Sequence, residues 1–223
     1  MKAKYLILDF GKVLAYPVTG DWFITPLFYE YVNKDKLDKE KFHKCMVEIG
    51  DMLGGILKNE QEEYEIFIKF YKDSLINSGY IDKNINDVAK KCAHDFVYNN
   101  DKYRLYDDVI ENLEKFSKEY RLICLSDNWP SGERYMKDMK IYDLFEKVYI
   151  SSDYGYTKYE KIFFDHPIED FKIKKDEAIF VDDSIELMDI AKEKGLIPVL
   201  MDRENKIENC AFKKVNCLKD IDK

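Results

Sequence analysis

The chain has 223 residues, 46% hydrophobic and 36% charged, which is too apolar for intrinsic disorder and long enough for one core carrying a sizeable insertion. Its 44 acidic residues outnumber its 36 lysines and arginines, for a net charge of -8. The overall field therefore repels phosphate backbones, nucleic acid is excluded as a partner, and no apolar run approaches the ~20 residues of a membrane span.

The first predicted element is KYLILDF, residues 4–10, a short apolar run ending in Asp-Phe-Gly that suits a strand buried on both faces and running into a turn. A basic and then apolar start resembles a secretion signal, but Asp9 and Lys12 interrupt the apolar run, so the cytoplasm is the expected address. From residue 16 to residue 100 the pattern is helical, with apolar residues three and four apart, as in Phe42, Cys45, Met46 and Ile49, or Tyr64, Phe67, Ile68 and Tyr71. Breaks near Gly54 and Gly55 and at Ser78 and Gly79 divide this stretch into roughly four amphipathic helices. Trp22, Phe23, Phe28, Tyr29 and Tyr31 are expected to build that region's own core, and Tyr16 stands at its hinge.

Beyond Tyr103 short apolar runs alternate with helical patterns. The runs are RLICLS (121–126), KVYISS (147–152), AIFVDD (178–183) and IPVLMD (197–202), with DDVIENLEKFSKEY and IELMDIAKEKG among the helical segments. Strands alternating with helices imply right-handed crossovers and a parallel sheet. The expected fold is α/β, a Rossmann-like parallel sheet flanked by helices and formed by residues 1–15 and 101–223, with an all-helical cap of residues 16–100 inserted after the first strand. Cys45, Cys92, Cys124, Cys210 and Cys217 are odd in number, contain no CxxC pair and have no zinc-finger spacing, so they read as reduced thiols.

Polar groups recur where the apolar strands stop: Asp9 after YLIL, Ser126 after LICL, Lys158 just past VYISS, and Asp182 with Asp183 after AIFV. In a parallel sheet these ends share one edge, where open α/β folds place their ligands. Together they supply a carboxylate nucleophile, a neutral donor, a cation and a paired carboxylate site for a hard cation, a set suited to phosphoryl transfer. Each has a plainer reading. Asp9 can start a turn, Ser126, Asp127 and Asn128 are turn-prone before Pro130, Lys158 can be a solvated lysine, and Asp183 with Glu186 fits a capping box.

The order DFGKVL, LICLSDN, YTKYEKIFF and IFVDDS resembles the four motifs of the haloacid dehalogenase (HAD) superfamily, and the helical stretch falls where that superfamily inserts its cap. The resemblance implies a Mg²⁺-dependent, phosphatase-type hydrolase acting on a small phosphorylated metabolite. Asp9 matches the nucleophile that forms an aspartyl-phosphate, Ser126 and Lys158 the phosphate-orienting pair, and Asp183 a magnesium ligand with Asp182 beside it. Asp9 and the carbonyl of Gly11 complete the implied metal set. Mg²⁺ and Lys158 would let an acidic protein hold an anionic substrate.

Two positions depart from that pattern. The superfamily's phosphatases carry a second acid two residues after the nucleophile, and here that residue is Gly11, which transfers no proton. Tyr159 stands where proline often follows the motif lysine, and Lys161 is a rival to Lys158. Two other readings follow: a catalytically weak phosphate-binding or regulatory protein, and a 2-haloacid dehalogenase, whose halide leaves unprotonated but which has no need of Asp182 and Asp183. His43, His94 and His166 show no metal or triad spacing.

Overall fold

The computed structural model describes residues 3–50 and 55–221. In chain order the elements are β1 (Tyr5–Leu8), β2 (Ala15–Pro17), α1 (Phe28–Tyr31), α2 (Lys39–Gly50), α3 (Glu60–Asn77), α4 (Ile85–Tyr98) and β3 (Tyr103–Leu105). There follow α5 (Val109–Phe116), β4 (Arg121–Ser126), α6 (Ser131–Asp138), β5 (Lys147–Ile150), α7 (Ser151–Tyr154), α8 (Ile162–Phe171), β6 (Ala178–Asp182), α9 (Ile185–Glu193), β7 (Ile197–Met201) and β8 (Lys213–Val215). The chain divides into two compact units. A core unit comprises Met1–Tyr16, Leu105–Asn128 and Gly132–Lys223, and a helical unit comprises Pro17–Arg104 and Trp129–Ser131.

The core unit is a six-stranded sheet in the order β5-β4-β1-β6-β7-β8, and every recorded pairing is parallel. All four residues of β1 are buried, as a central parallel strand covered on both faces requires. On one face Ile7, Ile123, Leu125 and Phe180 pack with Phe163 and Phe164 of α8 and Leu187, Met188 and Ala191 of α9. Each of these side chains larger than alanine contributes about 1.5–3 kcal/mol by leaving water.

Register decides which side chains meet. Leu8 pairs with Cys124 on one side and with Val181 on the other. One residue further on, Asp9 therefore stands level with Asp182, and Ser126 ends the neighbouring strand. The amide of Asp9 donates to the Val181 carbonyl at 3.0 Å, which extends the ladder by one bond.

Several elements differ from the pattern read in the sequence, β2 and β3 among them. KVYISS is extended only to Ile150; Ser151–Tyr154 turns helical and stops at Gly155, whose φ of 73° is the left-handed position that favours glycine. The edge strand β8, with sequence KKV, was not expected. Short, lysine-bearing edges lack the apolar alternation that marks a strand and resist pairing with other chains.

The helical unit holds four α-helices among its described residues. Its core is aromatic: Phe28, Phe42, Phe67, Phe70, Tyr71 and Phe96 are all buried, and the rings of Phe67 and Phe96 stack at 4.0 Å. Phe23 and Tyr31 pack against this core and Trp22 meets Tyr103, while Tyr29 is exposed. At the start of α3 the Asn59 side chain accepts from the Glu62 amide at 3.0 Å, and the Glu62 carboxylate accepts from the amide of Lys58, one residue before the cap, at 2.8 Å, a variant of the reciprocal cap. Gly79, at φ 83°, follows the end of α3. The other expected break lies partly outside the described residues, since Gly54 is not among them. Glu63 is fully buried, and its two carboxylate oxygens accept from the Ser131 amide at 2.8 Å and the Ser131 hydroxyl at 2.7 Å.

Candidate active site

Four strand-end segments of the core unit deliver the polar groups. Asp9 leaves the end of β1 and is buried. Asp182 is the last residue of β6, and Asp183 follows it. Ser126 ends β4 and is buried. Lys158 comes from the loop between α7 and α8, where its amide donates to the Asp127 carboxylate at 2.9 Å.

Lys158 binds Asp9 and Asp182 together. Its ammonium lies 2.8 Å from Asp9 Oδ1 and 2.6 Å from Asp182 Oδ2, and its side chain is only 4% exposed. The second oxygen of Asp182 accepts from the Ser184 amide at 2.9 Å. Asp9, Asp182 and Asp183 offer carboxylate oxygens that all lie within 4.8 Å of one another. At such separations two ionised carboxylates repel by roughly 3 kcal/mol or more at an effective dielectric of about 20. Lys12 adds a second cation at 2.9 Å from Asp183 Oδ2. These three carboxylates exceed the two ammonium groups by one, and Asp127 beside Lys158 adds a further acid.

The titration behaviour follows from burial first and from that crowding second. Burial above all raises the Asp9 carboxyl, Lys158 pulls it down, and Asp182 and Asp183 add to the rise, for a net value of about 7. Burial disfavours the charge on Lys158, but Asp182, Asp9 and Asp127 outweigh it and hold the amine well above its ordinary value. Lys158 is thus a fixed cation. The donors of the cluster are hard oxygens, without histidine or cysteine, which fits Mg²⁺ or Ca²⁺ in preference to softer metals. Added positive charge would offset the burial and the repulsion that raise Asp9.

The structure corrects the capping box expected at Asp183. The N-cap of α9 is Ser184, and no side chain makes a capping bond there. Because the helix starts at Ile185, the cap falls one residue later. Asp183 points instead to Lys12, and Glu186 accepts from the Ser184 hydroxyl at 3.3 Å. Lys161, the rival lysine, is paired with Glu193. The Tyr159 hydroxyl lies 3.3 Å from that of Ser184. Gly11 bridges to Ala15 in the turn after β1. His43 pairs with Asp21 at 3.1 Å, His94 packs against Tyr64 and Tyr98, and His166 against Tyr154.

Three residues that the sequence did not single out support this edge. Asp127 holds the Lys158 amide, and Lys12 pairs with Asp183. Arg203 donates from Nε to the Val13 carbonyl at 3.2 Å, grips both oxygens of Asp108 at 2.8 and 2.9 Å, and lies 4.2 Å from the Tyr106 ring. It thereby braces the turn that carries Asp9. A cavity of about 330 Å³ opens at the opposite edge of the sheet, among the strand starts Ile179 and Ile197, remote from the carboxylates.

A family model of haloacid dehalogenase-like hydrolases matches residues 27–200. No curated protein matches the sequence. Among solved structures, the HAD-hydrolase YfnB from Bacillus subtilis, determined bound to magnesium, is similar with a TM-score of 0.73 and 13% identity over 99% of this chain and 97% of that one. A 2-haloacid dehalogenase from Pseudomonas syringae pv. Tomato DC3000 gives 0.68 and 14%, covering 99% and 96%. An HAD phosphatase from Thermococcus onnurineus gives 0.60 and 19%, covering 98% and 95%. At these identities the likeness is one of fold, shared by phosphatase and dehalogenase alike. No helix among the described residues is long and apolar enough to cross a membrane.

Proposed function

The chain belongs to the haloacid dehalogenase-like hydrolases, and we propose that within that family it is a Mg²⁺-dependent phosphomonoester hydrolase of a small phosphorylated metabolite, with the helical unit as its cap. One observation carries the reading: a single buried ammonium, that of Lys158, is shared between Asp9 and Asp182 in a group of three carboxylates that remains short of positive charge. Halide displacement has no use for a divalent cation. Attack by a carboxylate on a phosphate does, because both partners are anionic.

The roles follow from placement. Asp9, Asp183 and the Gly11 carbonyl, with Asp182 alongside, would hold the Mg²⁺, which supplies the positive charge that lets an anionic nucleophile approach an anionic phosphate. Asp9 attacks phosphorus; its new P–O bond forms as the ester P–O bond breaks, leaving an aspartyl-phosphate and an alkoxide or aryloxide. Ser126 donates a hydrogen bond to a phosphoryl oxygen, and Lys158 keeps its charge beside it. Water then attacks phosphorus, inorganic phosphate departs and Asp9 is restored. With Gly11 in the usual acid position, the departing oxygen takes its proton from water.

The test is a hydrolysis screen of phosphate esters with and without Mg²⁺, run beside a 2-haloacid. Mg²⁺-dependent release of phosphate is the expected result. Metal-independent release of halide would overturn the reading in favour of a dehalogenase.

A further inference from the structure

Lys12 is a charged side chain at the carboxylate cluster with no part in the hydrolysis proposed for Asp9, Ser126 and Lys158. Its backbone adopts φ 53°, a left-handed conformation that is strained for a side-chain-bearing residue and that glycine adopts freely. The turn is closed by its amide, which donates to the Ala15 carbonyl at 2.8 Å. From there the side chain reaches across the sheet edge to Asp183 Oδ2 at 2.9 Å, 171 positions away in sequence. The two lysines of this edge differ in freedom. Lys158 is buried between two carboxylates, whereas the Lys12 side chain is 59% exposed and holds a single oxygen. An exposed pair of this kind is weak enough to be exchanged.

We infer that Lys12 is a displaceable counter-ion: it neutralises Asp183 while no divalent cation is present, gives up that oxygen when one binds, and then offers its ammonium to the phosphate. This rests on the divalent-cation reading of Asp9, Asp182 and Asp183. The charge count supports the exchange. With Lys12 in place the carboxylates, Asp127 among them, outnumber the ammonium groups; a divalent cation would remove that excess, with two cations competing for one carboxylate. An ammonium released a few ångströms away matches an arriving anion. Lys12 therefore acts as a positioning residue for charge, with opposite effects on the two ligands: it weakens cation binding and strengthens anion binding.

The experiment uses the full chain and two variants, Lys12→Gln, which keeps the length without the charge, and Lys12→Gly, which also relaxes the left-handed turn. Calorimetry would measure Mg²⁺ binding alone, then inorganic phosphate binding at saturating Mg²⁺. In both variants Mg²⁺ should bind roughly three- to ten-fold more tightly, and phosphate more weakly by a similar factor, as expected for loss of one nearby, partly solvated charge. Native-like Mg²⁺ affinity in Lys12→Gln overturns the inference, and so does a shift of both constants in the same direction, which would mark a structural role. Absence of Mg²⁺ binding in the native chain overturns the cation reading itself and this inference with it, a result distinct from the other two.

Discussion

Both units bury carboxylates, but under opposite conditions. In the helical unit Glu63 fills its oxygens with the amide and hydroxyl of Ser131, and Asp95 accepts from the Leu27 amide and the Asn99 side chain. Neutral donors fill the hydrogen bonds of these acids, with Lys102 a nearby cation for Glu63, and the acids join one segment to another. In the core unit Asp9, Asp182 and Asp183 crowd within 4.8 Å, and two lysines do not balance them. A buried acid surrounded by hydrogen-bond donors stabilises a fold; a buried acid surrounded by other acids retains unspent affinity for a cation. The comparison thus locates chemistry without appeal to motif.

The sharpest way to break it is Asp9→Asn. This change should lower turnover by roughly 10⁴-fold or more, as nucleophile removal does elsewhere. Melting temperature should hold or rise, because the variant relieves like-charge crowding. A variant that keeps most of its activity would contradict the assignment.

Next in size is the consequence of Gly11. Without an acid beside the nucleophile, the barrier should track the stability of the departing anion, so aryl and acyl phosphates should exceed alkyl phosphates by about 10²-fold or more. Gly11→Asp should narrow that gap. A flat rate series over esters of graded leaving-group acidity would show that another group supplies the proton.

The fold and much of this edge were legible in the sequence, for identifiable reasons. Apolar runs such as YLIL and AIFV mark fully buried parallel strands, and a parallel register leaves few choices for where Asp9, Ser126 and Asp182 end up. Long-range polar contacts carried no such period. Nothing in DFGKVL announces that Lys12 turns left-handed and reaches Asp183, or that Arg203 braces the Val13 carbonyl. The capping box at Asp183 failed by one residue, because β6 keeps its last side chain, Asp182, on the Ser184 amide and α9 starts only at Ile185.

Asp183→Asn probes the ligand side of the comparison at smaller scale. Mg²⁺ should bind about ten-fold more weakly and should raise the melting temperature less, since a ligand of the folded state stabilises it by mass action. Unchanged Mg²⁺ affinity would reduce Asp183 to a partner of Lys12.

The smallest effect concerns Glu63. Burial raises its carboxyl, against the pull of Lys102 and the Ser131 donors. Below the ordinary carboxylate value both native and unfolded chains hold the proton, and nothing is gained or lost. As pH rises from there towards the raised native value, the unfolded chain releases its proton first, so stability falls across that window by at most about 1.4 kcal/mol per pH unit. Melting curves of Glu63→Gln should therefore slope less with pH than those of the native chain. Equal slopes would show that Glu63 titrates alike in both states.

The central claim is that Asp9 carries the phosphoryl group, and trapping that group tests it most directly. After reaction with a phosphate ester and Mg²⁺, rapid acid quenching and peptide mapping should find one phosphoryl group on the peptide containing Asp9, and none in Asp9→Asn or without Mg²⁺. Phosphate release from the native chain with the phosphoryl group on another residue, or with no labelled peptide at any quench time, would contradict the account.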